Sequence, residues 1–109
     1  MREAQDYTLA MMKPGASCRD IANAHDAYMK QHGFPPEIRL YAHSQGYDMV
    51  ERPLLRNDES IPIAADMCMA VHPGFFTKTN FVFICDNFLI RPDGSVEHMH
   101  TAEQKIYEV

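Results

Sequence analysis

The stretch NFVFICDNFLIR, Asn80 to Arg91, is the densest β-forming segment of the chain. Aromatic and β-branched residues dominate it, and these side chains pack well on a pleated, half-buried surface. Pro92-Asp93-Gly94 follows at once and reads as a turn, so Ser95 to Met99 is expected to return as its hairpin partner. Upstream, Met67-Cys68-Met69-Ala70-Val71-His72 is a compact apolar run closed by Pro73-Gly74, consistent with a buried strand. Ile38, Leu40 and Ala42 alternate with Arg39 and Tyr41, which predicts a strand ending at His43. Lys105 to Val109 reads as a last short strand. The segment between, Ser44 to Pro62, has polar residues, two prolines and little periodicity, and reads as a long loop.

The N-terminal third has a different period. Ala4, Tyr7, Ala10 and Met11 recur at helical intervals over Arg2–Met12, and Lys13-Pro14-Gly15 ends that helix because proline has no amide hydrogen to donate. Ser17 is placed to cap a second helix, with Asp20 three residues on. The expected apolar face runs through Ile21, Ala24, Ala27, Tyr28 and Met29, Gly33 terminates it, and His25 and His32 are read as surface. Helices first and strands after define an α+β chain of 109 residues, expected to form one domain over 1–109.

Composition excludes several functions. Hydrophobic residues at 46% and charged residues at 23% are globular averages, which argues against disorder. The net charge is −5 and lysines and arginines form no cluster, so nucleic acid is not an expected partner. No apolar stretch approaches the ~20 residues that span a bilayer, and the N-terminus lacks signal-peptide character. Three cysteines, Cys18, Cys68 and Cys85, cannot all pair within the chain. An odd thiol suits a reducing compartment, so a cytoplasmic protein is expected.

No glycine-rich phosphate loop, His-Glu-x-x-His or Gly-x-Ser-x-Gly motif occurs. The chemistry falls instead on His43 at a strand end, His72 at the end of an apolar strand and Cys85 inside the strongest strand. Imidazole and thiolate are both good ligands for zinc or iron, and a three-ligand site leaves a position for water. Against this, a strand cysteine commonly behaves as a small hydrophobe and a strand-end histidine is commonly solvated. His98 and His100 share a strand face and read as exposed surface beside the hairpin turn.

These residues also lie within a longer pattern: Met12-Lys13-Pro14-Gly15-Ala16-Ser17, a helix, Ala42-His43-Ser44-Gln45-Gly46, Val71-His72-Pro73-Gly74, then Ile84-Cys85-Asp86-Asn87-Phe88-Leu89-Ile90 and a Pro-Asp-Gly turn. In this order the chain resembles the C-terminal half of the pita-bread fold, the family of creatinase, Xaa-Pro dipeptidases and methionine aminopeptidases. The resemblance implies two helices followed by a curved antiparallel sheet, half of a pita-bread domain. It matches His43 to the family's ligand histidine, His72 to the glutamate before Pro-Gly, and Cys85 to the second ligand glutamate. The family's two metal-binding aspartates would belong to a segment upstream of the first helix. Neutral imidazoles and a thiol do not bridge two cations as carboxylates do, so the two-metal site is expected to be degenerate.

What the resemblance implies is therefore a creatinase/Xaa-Pro peptidase-like hydrolase half-domain, with catalysis itself left open by the incomplete ligand set. Either one divalent metal (zinc, iron or manganese) on His43, His72 and Cys85, or none, is compatible with the pattern. Creatinase-like members act without metal; by that route His43 or His72 serves as general base, Glu51 orients, and the substrate is a small molecule or dipeptide-like. The alternative is a non-catalytic binding or assembly module derived from the same fold. A lone half would expose apolar surface, which implies a homodimer or a complementary half-domain as partner.

Overall fold

The computed structural model describes residues 1–109. Two helices open the chain, α1 over Arg2–Leu9 and α2 over Cys18–Gln31. Seven strands follow: β1 Ala42–Ser44, β2 Glu51–Leu54, β3 Cys68–Val71, β4 Gly74–Phe76, β5 Phe81–Phe83, β6 Asp86–Ile90 and β7 Val96–His98. Five of them form an antiparallel sheet in the order β2-β1-β3-β6-β7, and β4-β5 is a separate two-stranded hairpin.

The helix boundaries follow from capping chemistry. The Ser17 hydroxyl accepts the Asp20 amide hydrogen at 3.2 Å, satisfying one of the free donors of α2's first turn, a contact worth about 1 kcal/mol. At the other end Gly33 adopts φ +74°, and the amides of Gly33 and Phe34 donate to the carbonyls of Lys30 and Met29. This is a Schellman closure, and a residue with a Cβ would be strained in that conformation. The first helix stops at Leu9 rather than Met12; turn bonds from Met11, Met12 and Lys13 continue the winding. Tyr7 and Tyr28 stack at 4.9 Å between the two helices.

The core lies between the helices and one face of the sheet. Met12, Ile21, Met69, Val71, Phe88 and Ile90 are central to it, and most of them are fully buried. The loop after β2 also enters: Leu55 and Ile63 are core residues, and Ile63 exchanges backbone hydrogen bonds with Gly15 and Ala16 in the Pro-Gly turn. Inside that loop the buried Glu59 accepts from Arg52 and from the amides of Leu54, Ser60 and Ile61. These bonds, the Arg52 contact first, hold its carboxyl far below the usual range.

Several expectations need correction. Segment 44–62 is not all loop, because β2 pairs there with β1; Pro53 disguised it, and β2 is an edge strand, the place where a proline's missing donor is tolerated. The strand expected from Ile38 begins only at Ala42. The run Asn80–Arg91 is two strands, broken at Ile84-Cys85, because Phe81–Phe83 pairs with β4 while Asp86–Ile90 pairs with β3 and β7. Lys105–Val109 forms no strand and is exposed, having no sheet partner. His25 is buried in the α2 face with Ile21 and Met29, not on the surface. His98 is half-buried and bonded to Asp86 at 3.1 Å.

Candidate functional site

Side chains alternate across a strand, so the faces of the sheet can be assigned from the core residues. Met69, Val71, Phe88 and Ile90 meet the helices. The intervening residues Cys68, Ala70, Asn87 and Leu89 therefore face the other way, and His43, paired with Ala70, lies on that open face. His72 continues the alternation from Ala70 just beyond β3, and its amide donates to the Tyr41 carbonyl at 2.9 Å. The register of β1 against β3 thus brings two of the expected residues side by side: the His43 and His72 rings are 5.1 Å apart, tilted by 58°.

The two imidazoles differ. Nδ1 of His43 lies 2.9 Å from the Ser44 carbonyl. A carbonyl only accepts, so a neutral His43 carries its proton on Nδ1 and leaves Nε2 as the lone-pair nitrogen. His72 has a buried Nδ1 with no hydrogen-bond partner. Burial, and next the charge of His43, lower its pKa below the ordinary 6.5, so it is neutral at pH 7.

Two residues not singled out from sequence complete the surroundings. Arg39 stacks its guanidinium 4.7 Å over the Phe83 ring, and Phe83 lies 5.9 Å from His72. The Glu37 side chain is 3% exposed; it pairs with Arg39 at 3.3 Å and accepts the Gly74 amide hydrogen at 2.9 Å. A Cβ at Gly74 would meet Arg39 Nη2 and the Val82 carbonyl, both at 2.9 Å, so glycine is required after His72-Pro73. Glu37 and Arg39 are two apart, an alternation that could have found them as neighbours on one face, but they precede the strand that begins at Ala42.

The other expected residues are not gathered here. No three His, Cys, Asp or Glu side chains lie close enough to hold a metal ion, so His43, His72 and Cys85 do not form a three-ligand set. Cys85 is exposed where the chain leaves the hairpin for β6, and it lines a groove of about 740 Å³ with Phe81, Phe83 and His100. Burial raises the pKa of its thiol, away from thiolate character. The Glu51 carboxylate is engaged with its own loop, accepting the Asp48 amide hydrogen at 3.2 Å. Asp86 turns to the helix side, bonded to Arg2 at 3.0 Å and His98 at 3.1 Å. Burial alone would raise the Asp86 carboxyl; the bonds from His98, Arg2 and Gln5 outweigh it and hold the pKa low. All three cysteines are free, and no helix is long and apolar enough to cross a membrane.

Two helices laid on one face of a mostly antiparallel sheet is the architecture of the pita-bread domain of prolidases. An X-Pro aminopeptidase from Thermotoga maritima superposes with a TM-score of 0.85 at 18% identity, covering 99% of this chain and 31% of that one. Prolidases from Pyrococcus furiosus and Thermococcus sibiricus give TM-scores of 0.84 and 0.82 at 22% and 18% identity, covering 94% and 96% of this chain. The chain spans 29–31% of the length of these structures. The family pattern described as metallopeptidase family M24 matches residues 1–92, and the chain belongs to that family. No curated protein matches it. The family generally uses divalent metals, but the donor set of this chain does not fit one, since only two imidazoles converge where at least three ligands are needed.

Proposed function

We propose that the chain is a creatinase/Xaa-Pro peptidase-like hydrolase half-domain with a degenerate metal site, whose pocket is completed by a complementary half-domain or a second copy. The observation that carries this reading is the pairing of His43 and His72 on the open sheet face. His43, with Nε2 free to accept, takes the proton of a water attacking a carbonyl carbon, and neutral His72 beside it shares or relays that proton. The substrate class is a small amide or dipeptide, in keeping with a single imidazole pair flanked by Arg39 and Glu37. Glu51 is left out of this step, because its carboxylate is tied to the 46–51 loop.

The test is hydrolysis of an Xaa-Pro dipeptide and of creatine by chelator-treated protein, alongside analytical ultracentrifugation. His43→Ala is expected to lower the rate by about 100-fold or more, the usual contribution of a general base. Protonation of His72 is expected to contribute a fall in rate only below pH 6.5, because burial lowers its pKa and the neutral imidazole is the form that relays the proton. A 12.5 kDa monomer without hydrolysis of either substrate would refute the reading. That result would favour the second reading, a non-catalytic binding or assembly module, which the dispersal of Glu51 and Cys85 away from the histidine pair supports.

A further inference from the structure

On the same open face, away from His72, the chain gathers soft donor atoms that the hydrolytic reading does not use. Cys68 opens β3, and its Sγ lies 3.6 Å from the Met99 Sδ just beyond β7. Asn87 of β6 links Cys68 to His100: its amide nitrogen is 3.9 Å from Cys68 Sγ, and its Oδ1 is 3.2 Å from His100 Nε2. The register explains the convergence. The Met99 amide donates to the Asn87 carbonyl at 2.9 Å, which sets Met99 opposite Asn87 and on its face of the sheet. β3 and the segment after β7 thereby bring a thiol and a thioether together, and the His100 imidazole of that same segment reaches the Asn87 side chain beside them. Met99 is 51% exposed and Cys68 partly so, which leaves the sulfur pair open to an ion from solvent.

From this juxtaposition we infer that Cys68, Met99 and His100 form a site for a soft monovalent metal ion, copper(I). Thiolate and thioether ligands select copper(I) over the harder divalent ions, and a closed-shell monovalent ion accepts low coordination numbers. Two sulfurs bound to one ion at metal–sulfur lengths of about 2.3 Å stand at most about 4.6 Å apart. The observed 3.6 Å already lies within that reach. His100 completes the set by exchanging its Asn87 contact for the ion, whereas His98 is committed to Asp86. Binding displaces the Cys68 thiol proton to solvent and involves no change of oxidation state. A zinc or iron site is not formed here, because carboxylates and further histidines are absent from the sulfur pair.

The experiment is an anaerobic titration of the whole chain with copper(I) against a chromophoric copper(I) chelator, with the proton released per ion measured in weak buffer. One ion per chain is expected, with about one proton released. Cys68→Ser is expected to weaken binding by about 100-fold or more and Met99→Leu by about tenfold, with sulfur and nitrogen neighbours in the copper absorption spectrum. Cys85→Ser is expected to leave the affinity unchanged, and circular dichroism of each variant checks that the fold persists. Copper(I) affinity unchanged in the folded Cys68→Ser, Met99→Leu double variant would overturn the site. Loss of binding in Cys85→Ser, or zinc binding as tight as copper(I), would overturn it as well. Chelator-treated hydrolysis does not depend on the sulfur pair, so this test can fail without touching the histidine reading.

Discussion

The two faces of the sheet are built to opposite specifications. On the helix side Met69, Val71 and Ile90 are 0% exposed, as are Met12 and Met29 from the elements above them. Polar groups that enter, His25 excepted, are bonded: Gln5 donates to the Val71 carbonyl at 2.9 Å, and Tyr41 donates to Thr8. On the open face stand two histidines, a thiol, an asparagine and, on the neighbouring hairpin, Phe81, Val82 and Phe83, which are 65%, 38% and 41% exposed. The difference teaches where stability and function reside. Close packing uses one face for the fold, and the other is free to hold groups whose chemistry would be wasted in a core.

The largest effect should come from the packed face. Met69→Ala removes a fully buried side chain opposite Phe88 and is expected to cost about 2–5 kcal/mol in urea unfolding, whereas Leu89→Ala on the open face should cost far less. Equal losses at the two positions would break the distinction between the faces.

A pH-dependent effect follows from the one flaw in the packed face. Both ring nitrogens of His25 are buried without a hydrogen-bond partner, and the ring stacks on Tyr41 at 3.9 Å. Burial lowers its pKa from 6.5 to about 4. Below pH 6.5 the unfolded chain binds a proton that the folded chain refuses, so stability falls as pH drops toward 4. The full loss is about 3 kcal/mol, from 1.36 kcal/mol per pKa unit. His25→Phe keeps the stack and should flatten unfolding midpoints between pH 6.5 and 4; a midpoint profile as steep as before would assign the pH dependence elsewhere.

The smallest effect on stability is expected at the hairpin. Replacing Phe81 and Phe83 with serine should change the unfolding free energy by about 0.5 kcal/mol or less per exposed site. It should, however, weaken any association seen by analytical ultracentrifugation, because exposed apolar surface of this kind is what a second half or copy would cover. A loss of several kcal/mol would mean that the hairpin belongs to the core after all.

Local chemistry made parts of this readable in advance. The Ser17 cap, the Gly33 terminator, the strands around Met69 and Phe88 and the Pro92-Asp93-Gly94 turn all depend on residues close in sequence, and each occurs as expected. His25, expected at the surface, is buried; it sits four residues from both Ile21 and Met29 on one helical face, a spacing that marks it for the core side. The site was half legible. His43 and His72 carried strand-end signals and do meet, but Cys85 and Glu51 were placed by pattern and lie apart from them, because a bend at Ile84-Cys85 and a tight 46–51 loop intervene.

The amino-acid sequence alone determined that two helices precede the strands, where the second helix starts and stops, and the apolar stripes that make one side of the sheet a core. These are consequences of backbone sterics, capping and periodicity acting over a few residues. Only tertiary structure decided that β2 would find β1 despite Pro53, that Phe81–Phe83 would leave the main sheet, and which side chains would share the open face. Strand pairing joins residues far apart in the chain, and a register displaced by one position would turn His43 toward the helices and Ser44 outward.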